Sequence, residues 1–187
     1  LLLIAVALEL KPFPANGWAI DVYEGANPGL AALISAAFAS AMFFVLYKVM
    51  PFAGEAWHSI FAYIGGLTFI GSNLLAVKQD KARRLLGYSS VGQIGLLVMI
   101  LGLSQHLGEK FSLIAFGILI SHYLAKAGLF WLSGIIEKED IRNWSVLRKK
   151  PFLLVIFGTF LFALVGFPPF PSFFAKWELV MQLSAGG

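Results

Sequence analysis

The 187 residues are 59% hydrophobic and only 13% charged, with a mean hydropathy of +0.82. A water-soluble domain carries about 25% charged residues, so water is not this chain's main solvent, and the absence of cysteine excludes disulfides, iron–sulfur ligation and thiolate metal sites. A net charge of +4 would point to nucleic acid only if the basic residues gathered in one accessible patch.

In chain order, the first apolar run is LLLIAVALEL at 1–10, without a methionine or a charged signal-peptide head. Together with the ending LSAGG it reads as a fragment of a longer membrane protein. KPFPANGW follows. Pro12 and Pro14 each remove a backbone donor, and Asn16 and Gly17 loosen the helix further. Freed carbonyls inside a membrane are tolerated only where they face protein or a water-filled cavity, so hydration is expected near Lys11. Glu9, two residues before it, is a candidate relay group or partner, although an ideal helix puts the two on different sides.

Four spans follow at about 29–49, 57–77, 87–104 and 111–136. They are bounded by ANPG, MPFAGEAW, QDKARR and EKEDIRNWSVLRKK, and each has about the length needed to cross the hydrocarbon. The last span runs over 151–165, meets GFPPFPS, and resumes near 172. Its first part makes only ~22 Å of helix at 1.5 Å per residue, short of the roughly 30 Å required. The break and Lys176 therefore belong inside the bilayer, with Glu178 nearer the interface. The fold expected is all-α: a polytopic transmembrane bundle of about six helices with short loops, two of them broken by proline.

All 14 basic residues can be placed. Lys78, Lys81, Arg83 and Arg84 fall in one loop, and Lys138, Arg142, Arg148, Lys149 and Lys150 in another. Two helices separate those loops, so they share a face. Lys48 and Lys110 lie opposite. The positive-inside bias puts loops 78–86 and 137–150 in the cytoplasm. The basic balance is a topology signal, and no nucleic-acid partner is expected.

Lys11, Lys126 and Lys176 remain, all within apolar segments. Lys126 is at least ~15 Å of helix from either end of its span, too far for its stem to reach water. His122 stands one turn earlier on the same face. Withdrawal from water disfavours an ammonium's charge, and imidazole titrates near neutrality, so such a pair suits proton exchange. The alternative is a buried polar pair that locks two helices together, but intramembrane ionisable residues are as a rule functional. Broken helices at both ends of the sequence, each beside a lysine, fit the ion site of a transporter.

Four stretches resemble a known family in its own order. KPFPANGWAIDVYEGA resembles K…PFH-W-PDAY-GA, and KARRLLGYSSVGQIG resembles D-KR-LAYSS-SQ-G. SHYLAKAGLFWLSG is similar to H---KALLF--SG, and GFPPFPSFFAKWEL to G-PP--GF-GK. These belong to the antiporter-like subunits of respiratory complex I, shared with Mrp-type cation/proton antiporters and membrane-bound hydrogenases. The resemblance implies an inverted-repeat antiporter-like fold. Residues 1–50 would end the first repeat, and 57–187 would form most of the second, as a single transmembrane region of a larger subunit. It carries a proton relay onto Lys11, His122, Lys126 and Lys176, with the partner glutamate of Lys11 lying upstream of this sequence. It also implies a bacterial or archaeal cytoplasmic membrane.

The sequence departs from the family where a Lys or His usually connects the half-channels. Ser35, Phe38 and Ser40 stand there instead. Ser35 or Ser40 could bridge with water, whereas an apolar Phe38 cannot, which leaves open whether it breaks the relay. The family's histidine near the first break is also missing, replaced by Ala15 or Asn16.

The reading is a non-redox, proton-translocating (or sodium-translocating) subunit of a complex I-like pump, of NADH–quinone oxidoreductase or hydrogenase-linked type. Its expected partners are other membrane subunits and the lipid bilayer. No cofactor is expected in this chain, and redox cofactors belong to partner subunits. No glycine-rich phosphate loop follows a strand, and three histidines on separate segments make no metal site. Gly65 and Gly66 read as helix-packing positions. An Mrp-type sodium/proton antiporter subunit without redox coupling is the main alternative, and a structural scaffold is the third.

Overall fold

The computed structural model describes residues 2–185. Among them eight helices follow in order: α1 (Leu2–Glu9), α2 (Gly17–Gly25), α3 (Pro28–Phe52), α4 (Glu55–Ala76), α5 (Ala82–Gly102), α6 (Lys110–Ile136), α7 (Pro151–Val165) and α8 (Pro171–Ala185). A single turn, Ser104–Leu107, joins α5 to α6, and a 3₁₀ stretch, Ile141–Lys149, joins α6 to α7. No strand occurs among the described residues, only an isolated bridge between Lys81 and Asp140. The span expected over 1–10 is α1, and residue 1 lies outside the described residues.

Local chemistry sets the boundaries. Asn27 accepts a hydrogen bond from the Gly29 amide at 2.9 Å, and Pro28 fills the first turn of α3, where its missing donor costs nothing. Pro151 opens α7 in the same way. Gly166, with φ +89, ends α7, and the chain leaves α1 through Lys11 at φ 62, a left-handed conformation that a non-glycine residue adopts at a cost.

Helices α3 to α6 are each long and apolar enough to cross a membrane. α1–α2 and α7–α8 are the two helices broken by proline. α5 is the central element: 72% of its apolar window is buried, against 28% for α4. It packs against α2, α3, α4 and α6, and α6 in turn packs against α3, α7 and α8. The α4–α5 contact is so close that a methyl at Gly65 would run into the Met99 backbone, and one at Gly102 into the Ala62 backbone. Small residues permit this approach where no hydrophobic force drives helices together in lipid. Gly66 meets only the Met99 sulfur at ordinary distance, so of the Gly65–Gly66 pair only the first is a packing requirement.

One turn of α3, Leu33–Phe38, is π-helical. Such a turn closes its hydrogen bonds from i to i+5 and occurs mostly as a single bulge, frequently at functional sites.

The core divides into two main apolar clusters. One contains Val6, Leu10, Phe43, Leu46, Ile94, Leu97, Leu101, Phe111, Ile114, Ile118, Ala175 and Leu179. The other contains Ile20, Tyr23, Ala31, Leu86, Val91, Ala125, Leu129 and Leu164. α3, α5 and α6 pass from one cluster to the other, each broken pair has one half in each, and buried polar residues stand at the crossing. Lys11 and Asn16 do so between α1 and α2, Ser35 on α3, Ser90 on α5, His122 on α6 and Ser172 on α8. A polar layer thus lies at mid-height in an apolar bundle.

Candidate ion-translocation site

The two proline breaks supply the ends of this layer. At the first, the Phe13 amide donates to Thr68 Oγ1 at 3.0 Å, and Asn16 Nδ2 donates to Ser72 Oγ at 3.2 Å. At the second, the Ser172 amide donates to Ser121 Oγ at 3.1 Å, and the Ser172 hydroxyl donates to the Ala163 carbonyl. Thr68 of α4 and Ser121 of α6 thus each take up one backbone amide of a break, as hydrocarbon requires, and Ser72 of α4 holds the Asn16 side chain at the first.

The lysines show one shared habit. Lys11 Nζ donates to the Glu9 carbonyl at 3.2 Å, at the C-terminal end of α1. Lys176 Nζ donates to the Leu164 and Val165 carbonyls, each at 3.0 Å, at the C-terminal end of α7. Each thus meets the unsatisfied carbonyls, and the negative dipole end, of the first half of its broken helix. Lys126, with 0% exposure, donates to the Leu86 carbonyl of α5 at 3.0 Å. None of the three forms an ion pair with a carboxylate among the described residues. Glu9, expected as a relay group or partner, offers Lys11 its backbone carbonyl and not its carboxylate.

His122 is buried, and its Nε2 lies 3.1 Å from the Ser35 carbonyl. A carbonyl can only accept, so Nε2 carries the proton and Nδ1 is left as an acceptor. Nδ1 has no hydrogen-bond partner among the described residues. Lys126 stands one turn after His122 on the same face of α6. Ser35, on the π turn, is fully buried, and its hydroxyl is 2.7 Å from that of Ser90 on α5.

Phe38 is 46% exposed on the outside of the bundle. On a regular helix it would share the face of Ser35 three residues earlier. The π turn takes more residues per turn, and Phe38 is carried away from that face. The phenyl ring therefore does not block the layer. Ser40 is buried with an unpartnered hydroxyl. Sequence reading missed Ser90 and Tyr23, both buried, the latter packed on Gly87 of α5 and the Phe130 ring of α6.

At the bundle end holding the basic loops, segments 78–84 and 137–142 are pinned together. The Ala82 amide donates to the Glu139 carbonyl at 2.8 Å, and the Ile141 amide to the Asp80 carbonyl at 2.9 Å. Arg84 reaches Asp21 at 2.9 Å and Glu24 at 2.5 Å, and Lys81 reaches Glu24 at 2.6 Å. The Glu24 carboxylate beside it holds the Lys81 ammonium above its ordinary range. The two loops thus share one end of the bundle with the end of α2.

The profile of the family described as "NADH:quinone oxidoreductase/Mrp antiporter, TM" matches residues 1–187. The chain belongs to this family. With four apolar helices of spanning length, it is an integral membrane protein. It is 32% identical to NADH-quinone oxidoreductase subunit N 2 of Hydrogenobaculum sp. (strain Y04AAS1), over 97% of this chain and 40% of that protein. It is also 32% identical to NAD(P)H-quinone oxidoreductase subunit 2 of the Chlorokybus atmophyticus chloroplast, over 94% of this chain and 36% of that protein. The chain thus spans about two-fifths of the curated relatives it matches.

The fold is shared with a chain of the Mrp complex from Dietzia sp. DQ12-45-1b, with a TM-score of 0.85, 24% identity, and coverage of 98% of this chain and 36% of that one. A chain of respiratory complex I from Thermus thermophilus gives 0.82 at 24% identity, covering 100% and 42%.

Proposed function

We propose that this chain is part of a proton-translocating, antiporter-like membrane subunit of a complex I-like, redox-driven pump, and itself carries no redox cofactor. The observation that supports this most directly is the polar layer, in which three membrane-embedded lysines are held by backbone carbonyls and not by carboxylates. A carbonyl has no net charge. A lysine resting on one can release its proton without leaving an unpaired anion behind in the bilayer, which would be costly.

In this reading Lys11, His122, Lys126 and Lys176 exchange protons along the layer, and Ser35 lies between the first two. Residues 1–50 end one repeat and 57–187 form most of its inverted counterpart. The subunit sits in a bacterial or archaeal cytoplasmic membrane beside other membrane subunits of the complex, with loops 78–86 and 137–150 on the cytoplasmic side. The curated relatives named as NADH-quinone oxidoreductase subunits favour redox coupling over a free-standing antiporter.

The test is Lys126→Met in the full complex, with proton pumping measured in sealed vesicles. Pumping is expected to fall by on the order of a hundredfold while the complex assembles and the redox partners remain active. Normal pumping by the assembled variant would sink the reading. Lost assembly in Lys126→Met, with pumping retained by the smaller change Lys126→Gln, would mark the lysine as a structural lock. Sodium-dependent exchange without electron transfer would instead identify the Mrp-type alternative.

A further inference from the structure

We infer that Ser35 and Ser90 form a hydroxyl bridge that conducts the proton across the α3–α5 contact, between the first broken helix and the His122–Lys126 pair. The inference rests on the proton-translocating reading above. α1 and α2 pack on α3 and α5, and α6 packs on those same two helices. A proton moving between Lys11 and α6 must therefore cross where α3 meets α5. On α3 no titratable side chain precedes Tyr47, so a lysine or histidine cannot take it through.

The buried polar atoms at that crossing are the hydroxyls of Ser35 and Ser90, 2.7 Å apart. Tyr23 of α2 is buried beside this pair, packed on Gly87 of α5 and against the Phe130 ring of α6. On the α6 side, the Ser35 carbonyl fixes the His122 ring. Lys126 is anchored to the Leu86 carbonyl, one turn before Ser90 on the same face of α5. Tyr23, Ser35 and Ser90 are each almost completely buried, so bulk water does not offer a parallel route past them.

The chemistry needs no other reactant. An incoming proton bonds to a lone pair of the first hydroxyl oxygen, and that oxygen passes its original proton to the next. Neither base on α6 is hydrogen-bonded to a bridge hydroxyl in this structure, so in the last step the Lys126 or His122 side chain swings to the last oxygen, whose proton passes to the uncharged amine of Lys126 or to Nδ1 of His122. Only O–H and N–H bonds form and break, nothing is oxidised, and rotation of the hydroxyls restores the starting state. Either serine can donate in the pair, as a bridge working in both directions requires. The π turn has a part in this: it turns Ser35 inward while carrying Phe38 out.

The experiment uses the full-length protein in its assembled complex, reconstituted in vesicles. Ser35→Ala, Ser90→Ala, the double variant, Ser35→Thr and Lys126→Met are compared for proton flux and for the effect of D₂O on it. Each serine-to-alanine change is expected to lower flux by on the order of tenfold or more and to enlarge the D₂O effect. The double variant should be little worse than either single one, because both cut the same wire. Ser35→Thr, which keeps the hydroxyl, should conduct. Wild-type flux in the double alanine variant, with flux abolished in Lys126→Met, overturns the bridge and leaves the function standing. Wild-type flux in Lys126→Met overturns the function and the bridge with it. Should the alanine variants fail to assemble, Ser35→Thr decides: an assembled threonine variant that does not conduct overturns the proposal.

Discussion

At the scale of single residues, the backbone carbonyl is the common partner of the embedded lysines. Lys176 holds two carbonyls that the end of α7 would otherwise leave unmet. Its replacement by methionine should cost about 1–3 kcal/mol, the usual penalty for leaving buried polar groups unsatisfied, and lower the thermal unfolding midpoint. Lys176→Gln keeps a donor and should recover most of that stability while transport stays lost. Recovery of transport by glutamine would show that Lys176 only caps a helix. Phe38 gives the converse test. Because its ring faces outward, Phe38→Ala should leave proton flux unchanged, and a large loss of flux would return the ring to the path.

At the scale of elements, the tight α4–α5 pair sets the position of the central helix. Replacing Gly65 or Gly102 by leucine inserts a side chain where a single methyl already meets backbone. Overpacking of this kind typically costs 1–3 kcal/mol, and the loss is expected as a lower unfolding midpoint in detergent. How much of the fold could be read from the sequence also shows here. The span expected over 111–136 is α6 within one residue, because Gly108 to Lys110 bound it on one side and the charged run Glu137 to Asp140 on the other. The span expected over 87–104 begins instead at Ala82. Arg83 and Arg84 hide that start from a hydropathy reading, since their charges are spent on the Ala26 carbonyl, Asp21 and Glu24. Nothing in LISAAF announces a π turn: small residues allow one but equally suit an ordinary helix.

For the whole molecule, the basic loops and the end of α2 form an ionic clasp at one end of the bundle. Its charges lie at the aqueous edge, where salt screens them, so raising ionic strength should lower stability. Glu24→Gln removes the acceptor shared by Lys81 and Arg84, and should cost about 1 kcal/mol or less at low salt, with the difference vanishing at high salt. Lys81, raised by Glu24 in the folded state, contributes stability that is fully present below its ordinary range. That contribution is lost as pH rises through the raised value, so the clasp should weaken on the alkaline side in unfolding curves of wild type against Glu24→Gln. The candidate site was legible to the same degree as the fold. Lys11, His122, Lys126 and Lys176 stand out because a charge in an apolar run is rare. Ser90 does not, because hydroxyls are common in such helices, and only the rotation of α3 and α5 selects which of them meet.

The π turn also bears on how this chain is compared with its relatives. It holds one more residue than an α-turn, so the helix beyond it has the phase that a one-residue insertion would give. Aligned with a relative whose third helix is regular, the sequence needs a one-position gap between Leu33 and Phe38. Without that gap, every position from Phe38 to Phe52 is matched one step out of phase, and a side chain on the lipid face is paired with one that lines the interior.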